Sequence, residues 1–454
     1  MCIMSKTRSL FTWMVCLLVV TYQAQALPQE VQCTITVAEP TTCYIATPIY
    51  LLPGYTLSIV NSSELVNVTR FELRAMTNLD HIPPIIWAVF PNLQEIVMAN
   101  YASVATLTAT DLLYASNLKL LNLKGNKLTT IPYSAFALAK SLEELDLSGN
   151  LIATIDSMAF NGLSNLKRLD LSFNRLALID AFTFYGLPNL LMLDLNHNKI
   201  KTIGDGTFNL PKLQILNCNY NDVKLLPDHL FGLLPKQSPP LTYVDFGENK
   251  LTHIGASLYS LNELKFLNLT SNKKIDDINL EALAQLPKLE ILLLTNSGFK
   301  FPTPISALTV TPPEAAASIP MPTSNSPLRE LYIGKNKLAN PDVLRQLAYF
   351  RQLEVLSLEE NQFTIIEYIN SLPTWFPNLR TIYLGENKLN CAWLNDSIPV
   401  FQAANIQVYS IKKVKTWYGT SYQQKLIDMD DCVDLAKIFS TILSWLNKFS
   451  VAAN

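Results

Sequence analysis

Residues 118–126 read Leu118-x-x-Leu121-x-Leu123-x-x-Asn126, and residues 142–150 repeat the phrase as Leu142-x-x-Leu145-x-Leu147-x-x-Asn150. The step is 24 residues. Working outward, the phrase returns at Leu166 with Asn174, Leu190 with Asn198, Leu213 with Asn221, Leu241 with Asn249 and Leu264 with Asn272. A degenerate unit at Leu289 has Ser297 in place of the asparagine, and Leu328, Leu353 and Leu379 restore the pattern with Asn336, Asn361 and Asn387. Two weaker units come first, Val68-x-x-Phe71-x-Leu73 and Leu93-x-x-Ile96-x-Met98. Thirteen units in phase, from about residue 66 to 390, identify a repeat architecture. They also account for the 75 leucines in 454 residues, a chain too long for one layered core.

Each unit carries its own physics. The Leu-x-Leu core has period 2, so its leucines point to one side and the residue between them to the other, as in a strand. The recurring asparagine can satisfy backbone groups where the chain turns away. Leu128 and Ile131, or Ile152 and Ile155, continue the apolar face, and Ala135-Phe136, Ala159-Phe160 or Thr183-Phe184 then lays a phenylalanine against it. No unit can bury its apolar side alone, so stacking is obligatory and the ends need caps. The expected fold is an α/β-type repeat solenoid, a horseshoe with a parallel concave sheet.

The ends specify a compartment. Lys6 and Arg8 precede an apolar stretch from Leu10 to Val20, and Ala24-Gln25-Ala26 offers a cleavage site, so residues 1–26 read as a signal peptide. Cleavage takes the net charge from 35 − 37 = −2 to 33 − 37 = −4. A mildly acidic chain without a basic block excludes general nucleic-acid binding. No later stretch approaches ~18 uncharged apolar residues, so no transmembrane segment is expected. Five cysteines remain, and the economical pairing is Cys33–Cys43 and Cys391–Cys432, with Cys218 in an inward leucine slot as a small buried hydrophobe. Asn61, Asn67, Asn268 and Asn395 head glycosylation triplets.

The pattern is that of the leucine-rich repeat. Residues 27–66, with Cys33 and Cys43, resemble the N-terminal cap of extracellular leucine-rich repeat proteins of animal type, and 67–390 are the thirteen repeats. Asn387-Lys388-Leu389-Asn390-Cys391-Ala392-Trp393-Leu394 resembles the start of the family's C-terminal cap, placed at 391–432 and closed by Cys432. The resemblance implies disulfide-stapled caps at both ends. The short cysteine set and the Cys-Ala-Trp-Leu cap are similar to insect leucine-rich immune proteins. That likeness implies a circulating scaffold in innate immunity. The sequence departs from the better-known members in having no heptad-rich coiled coil after Cys432. Residues 433–454 are instead expected to form an amphipathic tail helix, with Leu435, Ile438, Phe439, Ile442, Trp445, Leu446 and Phe449 at helical spacing. A proline-rich insertion, residues 300–327, is expected to leave the solenoid between the units at Leu289 and Leu328.

Catalysis has little support. His81, His197, His229 and His253 show no metal-ligand spacing, and there is no nucleophile elbow or phosphate loop. No cofactor is implied. Writing each unit as L-x1-x2-L-x3-L-x4-x5-N places the x residues on the concave surface. Position x3 is acidic or amide: Asn122, Asp146, Asp170, Asp194, Asn217, Asp245 and Asn268. Position x2 runs apolar through Met192, Ile215, Tyr243, Phe266 and Ile291, bordered by Phe173, His197, Asn219, Tyr220 and Glu248. Exposed aromatics and methionine are favoured interface anchors, which makes Met192, Ile215, Tyr220, Tyr243, Phe266 and Ile291 the candidate contact for an extracellular protein partner. A glycan on Asn268 would obstruct this face, leaving either an unmodified Asn268 or contact displaced toward residues 168–248. The reading is therefore a secreted, non-enzymatic recognition or scaffolding protein. A cell-adhesion or receptor-associated role is the alternative, and the oligomeric state stays open.

Overall fold

The computed structural model describes residues 29–31, 34, 41–45, 57–59, 63–74, 78–100, 102–232, 238–276, 278–301, 326–416 and 419–427. The signal segment, Asn61, Cys33, Cys432, most of the proline-rich insertion and the tail helix lie outside these residues.

The Leu-x-Leu cores form one sheet of sixteen strands, parallel except at its last pair. It begins with β1 (Thr42–Ile45) in the N-terminal cap, followed by β2 (Arg70–Leu73) and β3 (Glu95–Val97). The regular units supply β4 (Leu120–Asn122), β5 (Glu144–Asp146), β6 (Arg168–Asp170), β7 (Met192–Asp194), β8 (Ile215–Asn217), β9 (Tyr243–Asp245), β10 (Phe266–Asn268) and β11 (Ile291–Leu293). Then come β12 (Glu330–Tyr332), β13 (Val355–Ser357) and β14 (Thr381–Tyr383). The insertion does not break the sheet, because Ile291 pairs directly with Glu330.

Three-residue strands are stable only because each repeat is tied to the next by side chains as well as by the ladder. The asparagines do the tying. Asn174 Nδ2 donates to its own Leu171 carbonyl at 3.0 Å and to the preceding repeat's Leu147 carbonyl at 3.0 Å, while its Oδ1 accepts the Ile152 amide at 3.0 Å. Asn126, Asn150, Asn198, Asn221, Asn249 and Asn272 repeat this arrangement. In the degenerate unit, the Ser297 and Gly298 amides both donate to Asn336 Oδ1 at 2.9 Å.

The interior is one continuous apolar cluster. Phe136, Phe160, Phe184, Phe208 and Phe231 form a buried column on the side away from the sheet, with successive centroids 5.7, 6.0, 6.2 and 6.3 Å apart. Each buried ring contributes about 1.5–3 kcal/mol through lost apolar surface. The column therefore holds the convex side as the asparagines hold the turns.

Cys218 lies fully buried in its leucine slot and is a free thiol, with burial first and the Asp194 and Asp245 charges next pushing its pKa up. It should therefore resist a thiol reagent at pH 8 in the native protein and react only after unfolding in guanidinium. Stoichiometric labelling of native Cys218 would contradict this packing.

Both ends are covered. Cys43 and Cys391 are in disulfide linkage, and the partners expected for them, Cys33 and Cys432, are among the residues not described. At the C-terminal end Asn390 caps the helix Cys391–Ala403, its side chain accepting from the Ala392 and Trp393 amides. Trp393 Nε1 donates to the Ile366 carbonyl at 3.1 Å and so fastens the helix to the last turns. Strand β15 (Gln407–Thr416) then pairs parallel with β14, and β16 (Gly419–Leu426) turns back against it. This hairpin extends the sheet past the last Leu-x-x-Leu unit, an element the repeat pattern does not foresee. Among the described residues no helix is long and apolar enough to cross a membrane.

Candidate functional site: the concave face

The ladder register sets the x2 residues side by side: Met192 opposite Ile215, then Tyr243, Phe266, Ile291 and Glu330. Strand alternation points them away from the core, whose inward residues Leu193, Leu216, Val244, Leu267 and Leu292 are fully buried. Met192 is exposed, whereas Ile215, Tyr243, Phe266 and Ile291 are half-buried. The reason is lateral packing: Tyr243 and Phe266 stack with centroids 4.5 Å apart and planes 2° from parallel. Tyr243 also donates its hydroxyl to Asp245 Oδ2 at 3.2 Å. Burial, reinforced by that carboxylate, pushes the phenol up to about 12.

Tyr220, sequence-read as part of this contact, stands elsewhere. It belongs to a second row along the rim, at the residue preceding each repeat asparagine. There Phe173, His197 and Tyr220 all have left-handed backbones, with φ of 53°, 51° and 50°. Their side chains consequently lean the same way and stack. Phe173 lies 4.2 Å from His197, and His197 lies 4.3 Å from Tyr220, with planes 11° and 19° from parallel. His197 Nδ1 is also 2.7 Å from Asn196 Oδ1. Three of the five bordering residues named from sequence thus form a ring ladder, 57% exposed at Phe173 and 50% at Tyr220. The same slot holds Gly125 and Gly149 in the two preceding repeats, which is the signal that could have revealed it.

The acidic x3 lane has a structural duty. Asp146, Asp170 and Asp194 each accept the amide two residues onward, from Ser148, Ser172 and Asn196, at 2.9 Å. Asn122, Asn217 and Asn268 make the same turn with Lys124, Asn219 and Thr270. Interchange of aspartate and asparagine at x3 follows from this shared acceptor role. Burial, more than the Asp170 charge beside it, raises the Asp194 carboxyl above its ordinary value. Together Glu144, Asp146, Asp170, Asp194 and Arg168 line a concave cleft of about 230 Å³, with Leu120 and Met192 at its ends. Arg168 is paired with Glu144 at 2.7 Å.

Among the described residues, no three His, Cys, Asp or Glu side chains gather as metal ligands. Of the triplet asparagines, Asn67 and Asn395 are exposed. Asn268 is half-buried, and its Nδ2 crowds Gly247 so closely that a Cβ there would come within 2.7 Å.

Comparison with known proteins agrees with this geometry. A leucine rich repeat family profile matches residues 116–176, 140–200 and 164–223. X-ray radiation resistance-associated protein 1 of Mus musculus is 29% identical over 140 residues, which is 30% of this chain and 17% of that protein. The chain thus spans about a sixth of that relative's length. Among solved structures, the LRIM1/APL1C complex superposes with a TM-score of 0.51 at 17% identity, covering 93% of this chain and 74% of that one. A leucine-rich repeat protein of Leptospira interrogans gives 0.51 at 22% identity, covering 76% and 90%. The TLR13–ssRNA13 complex gives 0.50 at 22% identity, covering 76% of this chain and 56%, a little over half, of that one. The repeat match and the shared architecture give this chain a leucine-rich repeat solenoid fold.

Proposed function

We propose that this is a secreted, non-catalytic recognition or scaffolding protein that holds another extracellular protein on its concave face. The observation carrying this reading is the Tyr243–Phe266 stack, flanked by Met192, Ile215 and Ile291, facing the open side of a rigid sheet. Large amphipathic rings fixed by neighbours lose little entropy on binding and give up apolar surface to a partner. A solenoid offers many such positions in fixed register. An innate-immune setting is supported by the Cys391-Ala392-Trp393-Leu394 cap and the short cysteine set. The carboxylates at Asp146, Asp170 and Asp194 disfavour a polyanion, so an RNA such as the one bound in the TLR13 complex is not the ligand proposed here.

The test is affinity capture from the body fluid of the source with the mature protein, scored against a Tyr243→Asp/Phe266→Asp variant. Equal capture by both removes the stripe from the reading. Retention on cell surfaces in place of soluble capture would favour adhesion. Glycan mapping supplies a second check. Asn67 and Asn395 are expected to carry sugar, and Asn268 is expected to be unmodified because its side chain is folded into the Thr270 turn. A glycan found on Asn268 would shift the contact toward residues 168–248.

A further inference from the structure

We propose that the rim beside Phe173 is a docking position for an arginine side chain on a basic segment of the protein partner, a specificity that rests on the concave-face reading above. The ring ladder has an open end at Phe173. Phe173 covers His197 with one face, and its other face looks along the row toward Gly149 and Gly125. Those two residues share the left-handed conformation, with φ of 66° and 67°, and have no side chains to continue the stack. A Cβ on Gly149 would meet nothing nearer than the Gly125 backbone at 3.5 Å. Beyond, the next side chain on the row is Asn100, whose Oδ1 already covers Gly125. One rung is missing between a ring and a carboxamide. Rungs repeat every ~4.8 Å, so a single planar group fits the interval.

The charge beside this gap selects which planar group. Glu144, Asp146, Asp170 and Asp194 face Arg168 alone in the adjoining cleft, and Arg168 is already paired with Glu144. Outside the cleft the same repeats carry Lys119, Lys124, Lys127, Lys140, Lys167 and Arg175, of which Lys167 is paired with Glu143 at 2.6 Å. Asp146 and Asp170 each use Oδ1 for the turn, and their Oδ2 atoms take no part in those bonds. A guanidinium satisfies both halves of the site, stacking flat on Phe173 while directing its in-plane N–H donors at Asp146 and Asp170, each three residues before its row position. An ammonium has the charge without the plane, and a neutral ring has the plane without the charge.

The experiment uses the mature protein with labelled nona-arginine and nona-lysine, read by fluorescence anisotropy at physiological salt. Wild type should bind nona-arginine roughly tenfold more tightly than nona-lysine. Phe173→Ala should erase the preference by removing the stacking face. Gly149→Phe should erase it by filling the rung, in a backbone conformation that three aromatic residues of this row already adopt. Circular dichroism of both variants checks that the solenoid is intact. Equal affinity of wild type for the two peptides would overturn the proposal, as would a preference kept by both variants. Tyr243→Asp/Phe266→Asp separates the two readings: it should keep the arginine preference while losing partner capture. Normal capture by that variant defeats the stripe alone, and absent arginine preference with stripe-dependent capture defeats the ladder alone.

Discussion

Replacing Asn174 by alanine should cost about 2–5 kcal/mol of stability, because it strands one buried amide and two buried carbonyls at once. Its Nδ2 serves the Leu147, Leu171 and Ser172 carbonyls and its Oδ1 serves the Ile152 amide, across two repeats. Asn174→Asp should be worse than alanine at pH 7. It keeps the acceptor for Ile152 but turns a buried charge toward three carbonyls. Asn165→Ala is the control: Asn165 is exposed and makes one bond, to the Lys140 carbonyl at 2.9 Å, so its loss should stay under about 1 kcal/mol. Urea unfolding followed by circular dichroism measures all three. An Asn174→Ala midpoint equal to that of Asn165→Ala would mean that the asparagine ladder does not hold the repeats together.

That ladder explains why the fold is so readable. A one-dimensional core needs the same residue type at the same step, so Leu121, Leu145, Leu169 and Leu193 declare the strands and Asn126, Asn150, Asn174 and Asn198 declare the turns. Period-2 alternation likewise places Met192, Tyr243 and Phe266 on the open side by pattern alone. Readability fails where conformation, and not pattern, decides. Phe173, His197 and Tyr220 read only as a border of the stripe until their left-handed backbones tilt the rings into one stack. The acidic lane reads as charge alone until each carboxylate is seen also accepting its turn amide through one oxygen. The β15–β16 hairpin follows no repeat step, so nothing in the leucine pattern announces it.

The second large effect is expected at the stripe. Tyr243→Asp/Phe266→Asp exchanges two stacked, half-buried rings for two carboxylates beside Asp245, itself buried and bonded to Asn219, Tyr243 and Gly247. Any partner covering this patch would have to desolvate the new charges, and it would lose both ring anchors. Hot-spot aromatics are worth about 2–4 kcal/mol each, so capture should fall at least roughly a hundredfold. The fold should survive, since the inward residues Val244 and Leu267 are untouched and the changed side chains point away from the core. Secretion level and far-ultraviolet circular dichroism should therefore match wild type. Loss of secretion would assign the pair to folding, and unchanged capture would place the contact elsewhere.

Photo-crosslinking puts the concave-face claim to the most direct test. A benzophenone side chain is installed at Tyr243 on the concave stripe or, in a second protein, at Phe182, which is 57% exposed but follows the convex strand Leu178–Ile179. Illumination in the presence of the captured partner should give a covalent adduct at position 243 and none at 182. An adduct at 182 with none at 243 would contradict recognition through the concave sheet.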